Sequence, residues 1–538
     1  MKIAIAQINT RVGDFEYNSK KILDSLETFK NQNVDLVVFP ELSLCGYSPK
    51  DFLEYKSFLK KCAKNLNSLA KKVELPCIVG CARASKKSRG AYNSAFLLEN
   101  KKATLIADKQ LLPNYGLFNE ARNFDSGSTK KQITIKDKKI AVTICEDIWT
   151  ADFVNTASLY KGKKPLDFAK GADVLINISA SLWNKENSIL RKKLLSHCSH
   201  FCNNAFVFCN LVGGNDEAVF DGASCVLNSA GETISVLKSF DEDFAIIDLK
   251  NQKKIEVKEN DFIADLYSAL VMSLRDFVQK NGFQKVLLGL SGGIDSALVA
   301  ALAVDALGKE NVLGLSLPSK ISSEHSKQDA QLLAKNLDIE IKNVPIENVV
   351  SATENSLAEI FAGTSKNVAE ENIQARSRGM ILMAISNKQN RMLLATGNKS
   401  ECSVGYCTLY GDMCGSFNPI CDVYKTDVYK LARYINRNKE IIPVSTIEKP
   451  PSAELREGQK DSDSLPPYEI LDEILKLHIE DSLGEKEIIE KGFDKKIVKD
   501  TLQKVLRSEF KRRQSAIGPR VSKKDLCAAR KMPIVFKD

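Results

Sequence analysis

The sequence predicts two α/β domains, the first rich in β-sheet and the second built on a doubly wound parallel sheet. Its 538 residues exceed what a single compact core usually holds. Short β-branched runs alternate with amphipathic stretches through the first half. In the second half, a buried strand leads through a Gly-rich turn into an apolar helix, as at the start of a parallel α/β unit.

Apolar runs predict the strands of the first domain, residues 1–250: IAIAQI, VDLVVFPE, CIVGCA, AVTICED, DVLINISA, AFVFCNLV and FAIIDL. Polar residues 251–262 form a predicted linker. The second domain, residues 263–538, starts in a helix predicted over 262–281. Its strands are KVLLGL, NVLGLSLP and RMLLATGN. Residues 443–468 and the tail from Lys511 are predicted loops.

Composition excludes several classes of protein. The net charge of +9 is too diffuse for a nucleic-acid binder. No apolar run reaches the roughly 18 residues that span a membrane. The 14 scattered cysteines and a first segment that reads as a strand predict a protein of the reducing cytoplasm, without a signal peptide. Only four histidines are present, which leaves little room for imidazole catalysis.

A Gly-rich segment between a predicted strand and helix has the features of a phosphate site. Small residues let backbone N–H groups approach an anion at the helix N-terminus. A bare Gly-rich turn would explain the glycines alone, but the carboxylate of Asp295 beside such a nest favours Mg²⁺ between protein and phosphate. The segment comprises Gly289, Leu290, Ser291, Gly292, Gly293, Ile294, Asp295 and Ser296.

Polar residues downstream add candidate ligand contacts. The run ENIQARSRGM, with Asn372, is too polar for a core face, although a solvated helix face explains it as well. Thr396 and Glu401 follow a predicted strand, and α/β sheets bind ligands at the carboxyl ends of their strands. Glu401 either shares the metal with Asp295, binds the substrate or favours the local helix dipole. Lys511 either pairs with an anion or is solvated.

SGGIDS resembles the pyrophosphate loop of ATP pyrophosphatases, and with LLATGNKSE, YGDMCGSF and KPPSAEL the second domain resembles the NAD synthetase family. The resemblance implies that ATP binds the loop residues 289–296 and Thr396. It implies that deamido-NAD contacts Asn372, Glu401 and Lys511. Mg²⁺ is expected at Asp295 and Glu401. The implied reaction forms a deamido-NAD adenylate, which ammonia then converts to NAD.

Three residues of the first domain suit amide hydrolysis. Glu41, Lys109 and Cys145 each follow a strand or an extended run, so a sheet can bring them to one pocket. A thiol nucleophile needs a base and a cation or donor for the oxyanion, and Glu41 and Lys109 supply these. A lone cysteine after a strand is more often a buried small apolar residue. The polar turn after Cys145 favours the nucleophile.

FPELSLCGY, DKQLLPNYG and ICEDIW resemble the nitrilase superfamily, which implies an αββα sandwich and a Glu41–Lys109–Cys145 triad that hydrolyses glutamine. The resemblance also implies glutamine contacts at Tyr115, Ser181 and position 187. There the sequence departs from the family, because Asn187 stands where a lysine is expected.

Together the two resemblances imply an enzyme whose first domain makes ammonia for the second, through an internal channel. The expected substrates are glutamine, deamido-NAD and ATP, with no nucleic acid or membrane partner. A homo-oligomer, at least a dimer through the second domain, is expected. Residues 443–468 are a candidate lid. Two alternatives stay open: an adenylating amidotransferase with another acceptor, and a nucleotide sensor or scaffold without catalysis.

Overall fold

The computed structural model of the chain describes residues 1–86, 90–257, 261–452, 454–456, 458–526 and 528–536. The chain divides into two compact units, Met1–Asn260 and Asp261–Asp538. Residues 258–260 of the predicted linker lie outside the described residues. Across the described ranges, no helix is both long and apolar enough to cross a membrane.

The amino-terminal unit contains many strands and few helices. Its strands are β1 (Lys2–Gln7), β2 (Leu36–Val38), β3 (Cys77–Ala84), β4 (Ala91–Glu99), β5 (Lys102–Asp108), β6 (Ile133–Ile135), β7 (Lys138–Ile144), β8 (Val174–Ser179), β9 (Ala205–Asn210), β10 (Val212–Asn215), β11 (Ala218–Asp221), β12 (Cys225–Asn228), β13 (Thr233–Val236) and β14 (Asp243–Asp248). Its helices are α1 (Phe15–Phe29), α2 (Lys56–Ala70), α3 (Glu120–Asn123) and α4 (Lys185–Ser199).

Two six-stranded sheets, ordered β14-β1-β2-β3-β4-β5 and β13-β12-β9-β8-β7-β6, form the centre of this unit. Alternate residues of β1 point to opposite faces. Ile3 and Ile5 pack between the sheets against residues such as Val142, whereas Ala4 and Ala6 pack under α1 and α2. Helix α4 covers the outer face of the second sheet. The predicted αββα sandwich is therefore confirmed.

The carboxy-terminal unit is mainly helical around one small sheet. Its helices are α5 (Phe262–Lys280), α6 (Ile294–Leu307), α7 (Glu324–Leu337), α8 (Glu347–Leu357), α9 (Val368–Gln389), α10 (Lys399–Val404), α11 (Lys425–Ile435), α12 (Val444–Glu448), α13 (Tyr468–Leu475), α14 (Glu485–Glu490), α15 (Lys495–Arg507) and α16 (Glu509–Arg512). Its strands are β15 (Val286–Gly289), β16 (Val312–Ser316), β17 (Glu340–Asn343) and β18 (Met392–Leu393).

These four strands run parallel in the order β17-β16-β15-β18. Leu287 and Leu313 pack with α8 and α9 on one face, and Val286 and Leu288 are buried on the other. The parallel sheet predicted for this half is thus confirmed. After β15 the chain adds β16 and then β17 on one side of it, and it later returns to the other side of β15 as β18. The strands β15 and β18 therefore flank a topological switch point, where open α/β sheets bind ligands.

Two segments predicted as loops contain helices. Helix α12 forms within the predicted loop 443–468. Hydrogen bonds from Ser445 and Lys449 to Asp329 of α7 hold it there, with the Lys449 Nζ–Asp329 Oδ2 distance at 3.0 Å. Residues 453 and 457 of the candidate lid lie outside the described residues. Lys511 belongs to α16 rather than to a solvated tail. Composition alone missed these helices because contacts with the rest of the unit hold them.

Candidate active sites

Cys145 lies at a sharp turn between β7 and a 3-10 turn over Cys145–Ile148. Its φ of +42° is in the left-handed region, which is uncommon for a residue with a side chain and is often found at active sites. The side chain is buried. Burial raises the pKa of the Cys145 thiol well above its ordinary value, the charge of Glu41 raises it further, and Lys109 opposes this. The thiol needs a base to become a nucleophile.

Lys109 follows β5 and points its ammonium at two carboxylates. Its Nζ lies 2.8 Å from Glu41 Oε1 and 2.8 Å from Glu120 Oε1. Its side chain has no exposed surface. Burial alone would lower the pKa of Lys109, but the negative charges of Glu120 and Glu41 outweigh it and hold that pKa well above its ordinary value. Lys109 is therefore a fixed positive charge.

Glu41 follows β2, and donors hold both of its carboxylate oxygens. Oε1 also accepts from Asn93 Nδ2 at 2.6 Å, and Oε2 accepts from the Ala180 N–H at 2.8 Å. The structure thus gathers Glu41, Lys109 and Cys145, as the sequence analysis predicts. Their strands belong to two facing sheets, however, rather than to one.

Glu120 is a fourth member of this cluster that the sequence analysis did not single out. It lies on the short helix α3, accepts from Tyr47 Oη at 2.7 Å, and is buried beside Lys109. Burial raises the pKa of Glu120 to about 7. Its Oε2 has no hydrogen-bond partner among the described residues. In the sequence, Glu120 ends the segment LLPNYGLFNE, and this position shortly after Lys109 was the signal that could have identified it.

The two acids after Cys145 have different partners. Tyr115 Oη and Tyr160 Oη donate to Glu146 Oε1, each at 2.9 Å, and burial raises the pKa of Glu146 to about 7. Asp147 accepts the N–H groups of Gln110 and Leu111, each at 2.9 Å. Tyr115 therefore lies beside the turn that begins at Cys145, and Asp147 ties that turn to the segment carrying Lys109.

The remaining predicted glutamine contacts lie around α4. Ser181 follows Ala180, whose N–H bonds to Glu41. Arg191 of α4 lies 3.4 Å from Ser181 Oγ and forms a buried ion pair with Asp221. Asn187 occupies the first turn of α4, where its N–H bonds to the Asn184 cap at 2.8 Å. Arg191 is therefore the cation in contact with Ser181, whereas residue 187, an asparagine, supplies no charge.

The second site lies at the switch point of the parallel sheet. Gly292 has a φ of +77°, and a Cβ there would lie 2.2 Å from Ser326 O, so only glycine fits. Ser291 Oγ accepts the Gly293 N–H at 3.2 Å and lies 3.2 Å from Ser296 Oγ. The loop runs from Gly289, the last residue of β15, into α6, whose N-terminus favours an anion.

Not every side chain in this loop faces a ligand. Leu290 is buried over Gly314, and Ile294 is buried at the start of α6, so these two residues offer only their main chain. Thr396 lies between β18 and α10, across the switch point from the loop. The loop and Thr396 thus come from the two strands that flank the crevice.

Asp295 and Glu401 meet at one ammonium group. Lys425 Nζ lies 2.5 Å from Asp295 Oδ2 and 3.2 Å from Glu401 Oε1. Asn398 caps α10 and donates to Asp295 Oδ1 at 2.9 Å. Burial raises the pKa of Glu401 to about 7, and Lys425 opposes the shift. Sequence reasoning missed Lys425 because only folding brings it to the two acids.

Asn372 and Lys511 reach the same segment from two sides. Asn372 Oδ1 accepts from Thr408 Oγ1 at 2.8 Å. Lys511 Nζ donates to Gly405 O at 2.8 Å and to Cys407 O at 2.7 Å. Glu401 lies on α10, directly before this segment. The three residues predicted to contact deamido-NAD thus surround residues 405–408.

Comparison with known proteins agrees with the division of the chain into two units. Residues 2–259 match the carbon-nitrogen hydrolase family and residues 266–515 match the NAD synthase family. A glutamine-dependent NAD(+) synthetase of Thermotoga maritima is 41% identical to this chain, and the matched region covers 100% of this chain and 99% of that protein. A glutamine-dependent NAD(+) synthetase of Synechocystis is 42% identical, and the matched region covers 99% of this chain and 98% of that protein.

A solved structure leads to the same family. Glutamine-dependent NAD(+) synthetase from Acinetobacter baumannii, in complex with ADP, has a TM-score of 0.77 and 36% identity, covering 99% of this chain and 98% of its own. Both resemblances in the sequence are confirmed. The chain therefore belongs to the glutamine-dependent NAD(+) synthetases, a family of ligases whose known reaction is the ATP-dependent amidation of deamido-NAD.

Proposed function

We propose that this chain makes NAD from deamido-NAD, with ammonia that the amino-terminal unit releases from glutamine at Cys145. One observation carries the assignment of the glutaminase site. A fully buried lysine ammonium bridges two carboxylates beside a cysteine in a strained turn. This arrangement supplies a nucleophile, a base and a fixed positive charge without an imidazole.

The proposed glutaminase reaction starts with attack of Cys145 Sγ on the side-chain amide carbon of glutamine. Glu41 takes the thiol proton, which the raised pKa of the thiol makes necessary. The ammonium of Lys109 stabilises the oxyanion. Glu41 then gives the proton to the leaving nitrogen, and ammonia departs. Water, deprotonated by Glu41, attacks the thioester, and glutamate leaves as the thiol is restored.

Tyr115, Ser181 and Asn187 are the proposed glutamine contacts. Tyr115 and Ser181 are supported by their places beside Glu146 and beside the Glu41–Ala180 hydrogen bond. Asn187 offers a neutral amide on α4 in place of the expected lysine. We assign the charge that faces the glutamine α-carboxylate to Arg191, the cation in contact with Ser181.

In the carboxy-terminal unit, ATP is proposed to bind residues 289–296 and Thr396, and deamido-NAD to contact Asn372, Glu401 and Lys511. The nicotinate carboxylate attacks the α-phosphorus of ATP, and pyrophosphate leaves. Ammonia then adds to the activated carbonyl and displaces AMP. The switch-point position of the loop, with its glycine-only turn, supports this assignment.

The carboxylates of Asp295 and Glu401 fit Mg²⁺, because both are oxygen donors directed at a single cation, Lys425. When bound, the metal supplies positive charge to the phosphates of ATP. Lys425 adds a second positive charge at the same place, and Asn398 orients Asp295. These residues hold and neutralise the nucleotide; none of them is required as a nucleophile.

We also propose a domain boundary within 251–262, internal transfer of ammonia, and a homo-oligomer joined through the carboxy-terminal domain. A cytoplasmic location is supported by Cys45, Cys62 and Cys81, whose sulfur atoms lie within 4.8 Å of one another and form no disulfide. Sedimentation of the purified chain tests the oligomer, and a monomer at working concentration contradicts it.

The proposed activity is tested by incubating the chain with glutamine, ATP, Mg²⁺ and deamido-NAD. NAD, AMP, pyrophosphate and glutamate should appear in equal amounts. Other carboxylates replace deamido-NAD in parallel assays, to test the alternative of an amidotransferase with a different acceptor. No ATP-dependent NAD formation, or a faster reaction with another acceptor, would reject the proposal.

A further inference from the structure

Three cysteine side chains meet inside the amino-terminal unit, away from Cys145. Cys45 follows β2, Cys62 lies on α2 and Cys81 lies on β3. Their sulfur atoms all lie within 4.8 Å of one another, and none of the three residues has exposed surface. They sit in the core between the first sheet and its covering helices. The proposed glutaminase chemistry uses none of them.

The triangle of sulfur atoms has the size of a metal site. Three atoms within 4.8 Å of one another all lie within about 2.8 Å of a common point. Metal–sulfur bonds to zinc are roughly 2.3 Å long. Each sulfur therefore needs to move inward by about half an ångström or less to coordinate a shared ion, which rotation about Cα–Cβ bonds can supply.

The three thiols lie in a core that is otherwise apolar. The Cys81 thiol donates to the Ala82 carbonyl oxygen, with Sγ and O 3.4 Å apart. A metal cation bound by the three sulfur atoms replaces thiol protons and neutralises charge that burial makes costly.

We propose that Cys45, Cys62 and Cys81 form a three-sulfur binding site for a thiophilic metal ion. Cu(I) fits best, because it is soft and accepts thiolate ligands. Zinc in structural sites prefers four ligands, and no fourth His, Cys, Asp or Glu atom joins the cluster within the described residues. Binding would link a loop, a helix and a strand of the same core.

The test measures metal binding directly, without any assay of NAD formation. The Cys145→Ala chain is used so that the proposed nucleophile does not bind metal. It is incubated for hours without oxygen, with Cu(I) or with Zn²⁺, because a buried site opens slowly. Bound metal is counted after a competing chelator is added, and thiolate-to-copper absorption and the thermal midpoint are recorded.

We expect one Cu(I) per chain to resist the chelator, with thiolate-to-copper absorption and a raised thermal midpoint. Cys62→Ala and Cys81→Ala should each lose this ion. Cys77→Ala is the matched control, since Cys77 lies on the same strand and face as Cys81 and is equally buried; it should keep the ion.

Retention of one Zn²⁺ instead supports the site and changes its metal. The proposal is overturned if the Cys145→Ala chain retains neither ion, or if Cys77→Ala loses the ion as readily as Cys62→Ala. Because the parent chain and the control are measured first, a variant that fails to fold does not hide either outcome. The three cysteines would then act only as small apolar residues.

Discussion

At the scale of single residues, the proposed glutaminase site depends on charges that are buried together. Lys109 has no access to water, so its ammonium is stable only because Glu41 and Glu120 accept from it. Removing one partner would leave an uncompensated charge in the core. The same groups that position the cation for catalysis therefore hold the site together.

Cys145→Ala should abolish NAD synthesis from glutamine and leave synthesis from added ammonium nearly unchanged. The substitution removes only the proposed nucleophile, and the proposed ATP and deamido-NAD contacts lie in the separate carboxy-terminal unit. Initial rates with each nitrogen source measure the effect.

The matched control for Cys145→Ala is Cys209→Ala, another buried cysteine in the core between the two sheets. It should keep both activities. Loss of both activities in Cys145→Ala would instead mean that Cys145 has a structural role, or that the two units do not work as separate catalytic sites.

Asp295→Asn should lower synthesis from both nitrogen sources by at least about a hundredfold, since it removes a charge at the proposed metal and phosphate site. Raising the Mg²⁺ concentration should recover part of the rate if the carboxylate binds the metal. Glutaminase activity without ATP should not change. A variant with full synthetase activity would remove Asp295 from the site.

Sequence motifs located some of these residues and missed others for a physical reason. Glu41, Lys109 and Cys145 stand within short segments whose neighbours distinguish them. Lys425 makes its contacts across folds of the chain, and nothing adjacent to it marks it as the partner of Asp295, 130 residues away. Such residues emerge only when the strands and helices are placed.

At the scale of secondary structure, α10 is fixed by a buried lysine. Lys399 has no exposed surface, and its Nζ lies 2.8 Å from Glu480 and 3.0 Å from Asp422. It also donates to Ser522 Oγ at 2.6 Å. This lysine joins the helix that carries Glu401 to the carboxy-terminal segment of the chain.

Lys399→Met should destabilise the carboxy-terminal unit by about 3–5 kcal/mol, because it leaves buried acids without their cation. Lys430→Met is the matched control. Its ion pair with Asp427 leaves the lysine 56% exposed, so the change should cost less than about 1 kcal/mol. Denaturant unfolding of both variants measures the difference, and equal losses would contradict the structural role of Lys399.

Elements were predictable where the apolar pattern is strong. The runs IAIAQI and DVLINISA became β1 and β8, and the helix predicted over 262–281 became α5. Helix α12 was missed because its short, Pro-flanked sequence has little helical pattern of its own. The sequence also gave no sign that the strands before Glu41 and Cys145 belong to different sheets.

At the scale of the whole molecule, the question is whether ammonia passes between the two catalytic units without release. Most free ammonia is protonated at neutral pH and is then not a nucleophile. Ammonia that stays within the protein avoids that loss. The nitrogen that enters NAD should therefore come from glutamine even when ammonium is present in solution.

This is measured with ¹⁵N-amide glutamine and an equal concentration of unlabelled ammonium at neutral pH. NAD should carry mostly ¹⁵N, and Cys145→Ala should make only unlabelled NAD. If the label in NAD merely follows the composition of the bulk ammonia, glutamine nitrogen is released to solvent and the proposed internal transfer is wrong.

The contacts of Asp147 also have a consequence for motion. One carboxylate oxygen holds the amides of Gln110 and Leu111, beside Lys109, to the turn that begins at Cys145. Those two amides should show a common opening free energy once each deuterium-exchange rate is corrected for its intrinsic rate, because a single opening frees both. Asp147→Asn should speed the exchange of both amides by a similar factor, and unequal opening free energies would contradict the shared opening. Each such opening releases one tie between the segment that carries Lys109 and the turn that begins at Cys145, so a single carboxylate contributes to how long the proposed glutaminase site stays assembled.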